Sequence, residues 1–595
     1  MDVHVVGDGP VRESLVAALG DVDVSVVDGT TSELTDARFG VVTDVAGSET
    51  FDEANQAART GGTPWIAIEV GGVGGRPIES IDAAISGFAS GRGCFECLRS
   101  RVISTTDEEA DRPTADRSAV RLAGAIAGHE CVRLFSGGDS SIVGEVVELP
   151  YVRRRLLPIP GCSCADGERD RSLEFRDRSV SSETPSNTDH SVEATVARAE
   201  TAIDDRVGLV TGIGEAESFP APYYLATVAD TEAYSDASAP ENAAGVAVDW
   251  NEALMKAVGE ALERYCAGVY REREFVRAAA VDLDDALSPT DFVRPDDAPG
   301  FDPTEEHLWV EGERLDTGER TYLPAAVVQF PQPETGLLPA ITTGLGLGSS
   351  LADALYSGLT EVLERDATML SWYSTFEPIG LAVDDESFAT LEKRVRSEGL
   401  DVTALLVTQD VDLPVVTVAV HRNSDDLDTN SGEGADGWPQ FAVGSSAALD
   451  PNAAAAGALA EAVQNWMELR GMGPEKAADE RGSIGEYASF PEAAREFVDV
   501  DETIPAERVR SDTIPTGPTA VEALVSSTID AGLTPYAARI TTRDVETLGF
   551  EAVRVVVPEA QPLFTRDPFF GERAETVPTD LGFEPRLDCS FHPYP

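Results

Sequence analysis

Three segments place pairs of oxygen-bearing side chains three residues apart on stretches that read as helices. Residues 251–265 (NEALMKAVGEALERY) carry Lys256, Glu260, Glu263 and Arg264. Residues 351–367 (LADALYSGLTEVLERDA) carry Glu361, Glu364, Arg365 and Asp366. Residues 453–466 (AAAAGALAEAVQNW) carry Glu461 and Gln464. One such stripe alone reads as a solvated helix face. Here the pattern E-x-L-E-R recurs at Glu260–Arg264 and Glu361–Arg365, on helices otherwise rich in Ala and Leu. Carboxylates that share a cavity repel one another unless cations neutralise them, and Mg²⁺ with bridging phosphates does so. Neighbouring arginines then meet phosphate oxygens as a planar fork, and Lys256, one turn before Glu260, is placed to do likewise.

Glycine- and serine-rich turns precede the second and third segments, at 342–350 (TTGLGLGSS) and 442–451 (AVGSSAALDP). Small residues with free backbone N–H groups at a helix start, Ser349 and Ser350 among them, suit phosphate or ribose. Neither turn matches G-x-x-x-x-G-K-[ST], and the H-R-D and D-F-G set of protein kinases is absent. A nucleotide site here is of another construction.

Four of the seven cysteines fall in two close pairs, Cys94/Cys97 (C-x-x-C) and Cys162/Cys164 (C-x-C). In a cytoplasmic chain such pairs are metal ligands more often than disulfides. Four thiolates fill the corners of a zinc tetrahedron and leave no open position, so the expected role is structural. Cys131, Cys266 and Cys589 are isolated and read as core or surface residues.

The elements that must position these groups belong to an α/β (α+β) chain. Residues 2–6 (DVHVV) and 23–27 (DVSVV) read as short strands around a helix at 11–19, with further strands at 40–45 and 65–70. This is a Rossmann-like opening, but Arg12 replaces the third glycine of G-x-G-x-x-G, so the domain reads as a scaffold without a nucleotide. Residues 165–189 are polar and poor in apolar side chains, which marks a linker between residues 1–164 and a second domain at 190–595. Residues 423–438 read as an exposed acidic loop.

The chain has 595 residues with 106 Asp+Glu against 45 Lys+Arg, a net charge of −61. That balance disfavours a sequence-independent grip on nucleic acid and docking on anionic membranes. No apolar run is long enough for a membrane span, and the start lacks the features of a secretory signal, so a soluble cytoplasmic protein is expected. The only lysines are Lys256, Lys393 and Lys476. An acidic surface nearly free of lysine points to a halophilic, salt-in source, where concentrated salt screens the self-repulsion.

At these residues the chain resembles the YcaO superfamily. The resemblance covers about 190–595. It includes 202–213 (AIDDRVGLVTGI), the three glutamate segments, 553–563 (VRVVVPEAQPL) and the terminal SFHPYP. The resemblance implies ATP bound with Mg²⁺ through Glu260, Glu263, Glu361, Glu364 and Glu461, with Lys256, Arg264, Ser349, Ser350 and Gln464 also on the nucleotide and Arg365 in catalysis. It further implies phosphorylation of a peptide-bond oxygen. Attack by a neighbouring Cys, Ser or Thr then gives an azoline, and attack by sulfide gives a thioamide. Residues 1–164 resemble the ThiF-like partner domain of azoline-forming cyclodehydratases, which holds a structural zinc, and this pairing favours cyclodehydration. The winged-helix module that grips a leader peptide in relatives has no room before the first strand, so the expectation is either recognition that does not depend on a leader or a leader read by another protein.

Azoline-forming members tend to end in P-x-P-x-P. This chain ends Phe591-His592-Pro593-Tyr594-Pro595, so the Pro595 carboxylate or His592 is expected to orient substrate or move a proton. The expected partners are a peptide or protein substrate, a separate leader-binding or sulfur-donor protein, and a second copy in a homodimer. Thioamide formation is one rival reading. The other is an adaptor for ribosomal-protein modification with a vestigial ATP site.

Overall fold

The computed structural model describes all residues except 1, 21, 23, 107–109, 138–140, 165–169, 174–191, 423–436, 479–483 and 512. Near the N-terminus a seven-stranded sheet runs in the order Ser25–Asp28, Asp2–Val6, Gly40–Val45, Trp65–Val70, Ala83–Phe88, Glu145–Leu149, Val152–Arg155. The first four strands are parallel and the remaining pairings antiparallel. Its inner strands Gly40–Val45, Trp65–Val70 and Ala83–Phe88 are short, largely buried apolar runs because both faces are covered, whereas the edge strands Ser25–Asp28 and Val152–Arg155 are more polar and exposed. The helices Gly9–Leu19 and Arg117–Phe135 pack on one face, and Thr50–Gly61 and Phe95–Thr105 on the other. The first helix starts two residues earlier than expected, with Pro10 in its opening turn, where a missing N–H costs nothing. The strand expected at 23–27 begins instead at Ser25.

The polar stretch after Cys164 is described only at 170–173. There Leu173 is buried, and its N–H donates to Glu313 at 3.3 Å. Those four residues therefore pack on the C-terminal part of the chain. The rest of the stretch, and most of the acidic loop at 423–438, lie outside the described residues.

Beyond residue 200 three sheets carry the three glutamate helices, each by the same device. A sheet-edge strand (Asn242–Val246, Leu345–Gly348 or Phe441–Ala447) leads into Trp250–Gly268, Leu351–Trp372 or Pro451–Ala477 respectively. Asp249, Ser350 and Asp450 cap these helices with their side chains. The first glutamate follows eleven residues after each cap, from 249 to 260, 350 to 361 and 450 to 461. A glycine in each strand lets the helix ride against strand backbone. A Cβ on Gly245, Gly346 or Gly444 would fall 2.3, 2.2 or 2.4 Å from a backbone atom of its helix. Each helix also packs against the edge strand of the next unit, and the third returns to the first, closing a cycle. No helix among the described residues is long and apolar enough to cross a membrane.

Candidate active site: a ring of carboxylates between three helices

The triplicated unit fixes the first glutamate of each helix in the same way. Glu260 accepts the N–H of Ala244 at 2.7 Å, Glu361 that of Gly344 at 3.0 Å, and Glu461 that of Ser445 at 2.6 Å. In each case the bond uses Oε2; Oε1 of Glu260 meets Arg264, and Oε1 of Glu461 faces Arg365. The second oxygen-bearing position, one turn on, carries Glu263, Glu364 and Gln464. Ser445 donates its hydroxyl to Glu364 at 2.6 Å, while Gln464 turns to Glu468 at 3.0 Å. Glu468 also accepts from the Tyr223 hydroxyl at 3.1 Å and feels the charge of Glu260, which completes the ring.

The electrostatics are those of a site short of positive charge. Desolvation, with Glu361 and Glu260 close by, pushes the Glu263 carboxyl up to about 8. Desolvation likewise lifts Glu461 to about 7 and Glu361 to about 6, although Arg365 and a backbone N–H oppose it at both. Arg365 lies 3.8 Å from Glu364 and 3.6 Å from Glu461, and these partners outweigh burial and hold its guanidinium charged. Arg264 pairs with Glu260 at 2.5 Å and donates to the Asn242 carbonyl. Arg554 is buried between Glu263 and Glu361 and donates to the carbonyls of Thr342 and Ile341 at 2.7 and 2.8 Å. Desolvation lowers it only to about 10, so it stays charged at neutral pH.

Six carboxylates (Glu260, Glu263, Glu361, Glu364, Glu461, Glu468) thus meet three guanidinium groups. Lys256 is exposed as a residue, yet desolvation of its ammonium lowers its pKa against the pull of Glu252 and Glu461. This donor set of hard oxygens with surplus negative charge fits divalent cations.

Not every expected residue joins the ring. Ser349 and Ser350 both donate to Asp353, at 3.0 and 2.8 Å, and Ser350 caps the second helix. They stand three turns before Glu361, roughly 16 Å along the axis. His592 is 1% exposed among Tyr373, Phe564, Phe591 and Tyr594. Its Nε2–H donates to the Phe564 carbonyl at 2.7 Å, and desolvation lowers its pKa to about 4. A ring kept neutral and bonded to backbone anchors the tail, and the charge of Arg365 reaches it. Tyr594, which the sequence reading passed over, instead lies beside Glu364, Arg365 and Glu461, with its hydroxyl 3.2 Å from that of Thr417. Pro595 is exposed. Arg554 and Glu468 were also missed. An arginine inside the fully buried run Glu551–Val556 was the available signal for the first.

The cysteines form a second constellation. Cys94 caps the helix Phe95–Thr105, and the four Sγ atoms lie within 4.8 Å of one another. The closest approaches are 3.8 Å for Cys94 to Cys97 and to Cys162, and 3.5 Å for Cys97 to Cys164. A zinc–thiolate tetrahedron with bonds of about 2.3 Å has edges of about 3.8 Å. The Ile159 N–H points at Cys97 Sγ at 3.4 Å, as a thiolate acceptor requires. The residues present fit such an ion.

In fold, the chain is similar to a heterocyclase solved in complex with substrate and cofactor, at 19% identity and a TM-score of 0.72. That likeness covers 98% of this chain and 83% of the other. It is similar also to the heterocyclase TruD, at 20% identity and a TM-score of 0.66, covering 98% and 81%. In sequence it is 28% identical over 334 residues to an uncharacterized protein of Methanothermobacter thermautotrophicus, spanning 55% of this chain and 82% of that one. Residues 244–561, which contain all three glutamate helices and Arg554, match the family described as YcaO cyclodehydratase, ATP- and Mg²⁺-binding, and the chain belongs to that family.

Proposed function

We propose that the protein activates a peptide backbone amide by ATP- and Mg²⁺-dependent phosphorylation and so cyclises Cys, Ser or Thr residues of a peptide or protein substrate to azolines. The observation that carries this reading is the closed ring of carboxylates with too few cations, in a chain of a family described as ATP- and Mg²⁺-binding. When bound, Mg²⁺ neutralises charge on the polyphosphate and on the phosphoryl group in flight. The chain's own residues do the rest. Glu260, Glu361 and Glu461, each locked by a backbone N–H in or just before the preceding strand, offer a fixed oxygen to the cations, while Glu263 and Glu364 add a second from the helices of Glu260 and Glu361. Arg365 and Arg554 hold charge where phosphate oxygens develop it, and Lys256 closes the rim.

The reaction balances as follows. The substrate side chain loses its proton as it adds to the amide carbonyl, and the resulting oxyanion takes the γ-phosphoryl group with departure of ADP. The nitrogen lone pair then expels phosphate, and loss of the N–H proton leaves the C=N bond of the ring. Positioning and charge stabilisation supply the acceleration, with no covalent enzyme intermediate. The tail is anchored through His592 and Tyr594, which sets Tyr594 beside Glu364, Arg365 and Glu461.

In this reading residues 1–164 are a ThiF-like partner domain whose four cysteines hold a structural zinc, 165–189 are the linker and 190–595 the YcaO domain. The two heterocyclases whose fold runs the length of this chain favour ring formation over sulfur transfer. The test is ATP turnover and Mg·ATP binding in high KCl. Wild type is expected to bind and turn over ATP, and Glu364→Gln to lose turnover. Failure of both proteins to bind Mg·ATP would remove the catalytic reading.

A further inference from the structure

The helix Phe95–Thr105, which begins at the cysteine cluster, also carries Arg101, one turn beyond Cys97. Arg101 and Asp544 are both 0% exposed and form an ion pair. Arg101 donates to the Tyr234 and Tyr265 hydroxyls at 3.1 and 3.2 Å, and its guanidinium lies 5.2 Å from the centre of the Tyr234 ring. The Tyr265 hydroxyl donates to Asp544 at 2.6 Å. Tyr265 stands on the first glutamate helix, two residues after Glu263, on the face turned away from the carboxylate ring.

A second contact runs beside this one. Cys94, Cys97, Leu157 and Ile159 share a buried cluster with Ala257, Ala261, Leu262 and Tyr265, which form the back of that same helix. The helix that begins at the cysteines thus meets the helix of Glu260 and Glu263 through Arg101 and Tyr265, on the face turned away from the ring. The mechanism proposed above leaves this buried charge network without a part.

We propose that Arg101 is a positioning residue for the carboxylate ring. It couples the metal state of the four cysteines to the placement of Glu260 and Glu263, so that Zn²⁺ at the cysteines tightens Mg·ATP binding at the helices. The inference rests on the proposed function, because it takes the ring to be the Mg·ATP site. With Zn²⁺ bound, the Cys94–Cys97 turn is rigid and Arg101 holds Tyr265 against Asp544. Without it the turn loosens, and the first helix loses its fixed backing. Coupling of this kind between two sites typically changes affinity by about 5- to 150-fold.

The experiment measures Mg²⁺ and a non-hydrolysable ATP analogue binding to the full chain by calorimetry, with zinc content measured in parallel. Wild type and Arg101→Met are compared, each as isolated and after a chelator strips the cysteines. In wild type, stripping is expected to weaken binding by about tenfold or more. Arg101→Met is expected to keep its zinc, to bind as weakly as stripped wild type, and to lose little more on stripping. Arg101→Lys, which restores the charge without the fork, is expected to recover part of the loss.

Arg101→Met leaves Asp544 as a lone buried charge. The double variant Arg101→Met/Asp544→Asn removes both charges and serves if the single variant does not fold. Equal weakening by stripping in wild type and variant would overturn the coupling, as would no weakening in either or a chain that takes no Zn²⁺ at its cysteines. A wild type that does not bind Mg·ATP in any state would overturn the functional reading itself, which is a separate outcome.

Discussion

Raising the pH from 6 to 8 is expected to tighten Mg·nucleotide binding far more than the titration of the nucleotide explains. The ring carboxyls must be ionised to hold cations. With Glu263 at about 8, Glu461 at about 7 and Glu361 at about 6, these groups retain roughly 2.4 protons at pH 6 and roughly 0.6 at pH 8. Each pH unit of unfavourable ionisation costs about 1.4 kcal/mol per group, which makes the difference between the two conditions about 4 kcal/mol. Water reaches the ring, since the Glu461 side chain is 27% exposed. Halving the figure for that screening leaves about 2 kcal/mol, or about thirtyfold in affinity. Calorimetry with a non-hydrolysable ATP analogue, in two buffers of different ionisation enthalpy, reads both the affinity and the protons released. Analogue and Mg²⁺ alone provide the correction. Affinity independent of pH, or equal proton release at pH 6 and pH 8, would refute the assignment of these glutamates as cation ligands.

Four further outcomes follow from the same geometry. Without added Mg²⁺, thermal stability is expected to fall as pH rises from 5 to 8, because these raised carboxyls hold more protons folded than unfolded; Mg·ATP should restore it, as a melting series will read. Gly346→Ala puts a Cβ 2.2 Å from the Ala354 carbonyl oxygen and is expected to cost about 1–3 kcal/mol in denaturant unfolding, with loss of nucleotide binding through Glu361. Arg365→Met removes the guanidinium shared by Glu364 and Glu461, and ATP turnover should drop about 10²-fold or more, measured as phosphate release. With a net charge of −61, the thermal midpoint should rise between low and molar KCl, where the Debye length shrinks to about 3 Å; a midpoint indifferent to salt removes the halophilic reading.

Much of the ring was legible because helix periodicity says which side chains share a face. The pairs Glu260/Glu263, Glu361/Glu364 and Glu461/Gln464 needed only that rule, and the four cysteines needed only their spacing. What periodicity does not carry is which faces meet. Arg554 comes from a strand some 190 residues beyond Glu361, and nothing local links it to the two carboxylates it separates. Glu468 lies one turn past the expected stripe, so its part appears only once Tyr223 and Glu260 are seen beside it. Ser349 and Ser350 were placed at the right helix start, but Asp353 competes for their hydroxyls. For His592 the sequence offers only the chemistry of an imidazole near the end, and its packing among aromatic rings and its bond to the Phe564 carbonyl appear only in the fold. Residues 170–173 looked like pure linker by composition, yet one buried leucine pins them to the C-terminal part.

The central claim, amide activation leading to ring formation, is tested most directly by mass spectrometry of peptides from cells with and without the gene. A third strain should carry Glu361→Gln. The account predicts a peptide lighter by one water at a Cys, Ser or Thr, present only with the wild-type gene. A peptide that exchanges oxygen for sulfur, or no gene-dependent mass change at all, would contradict it.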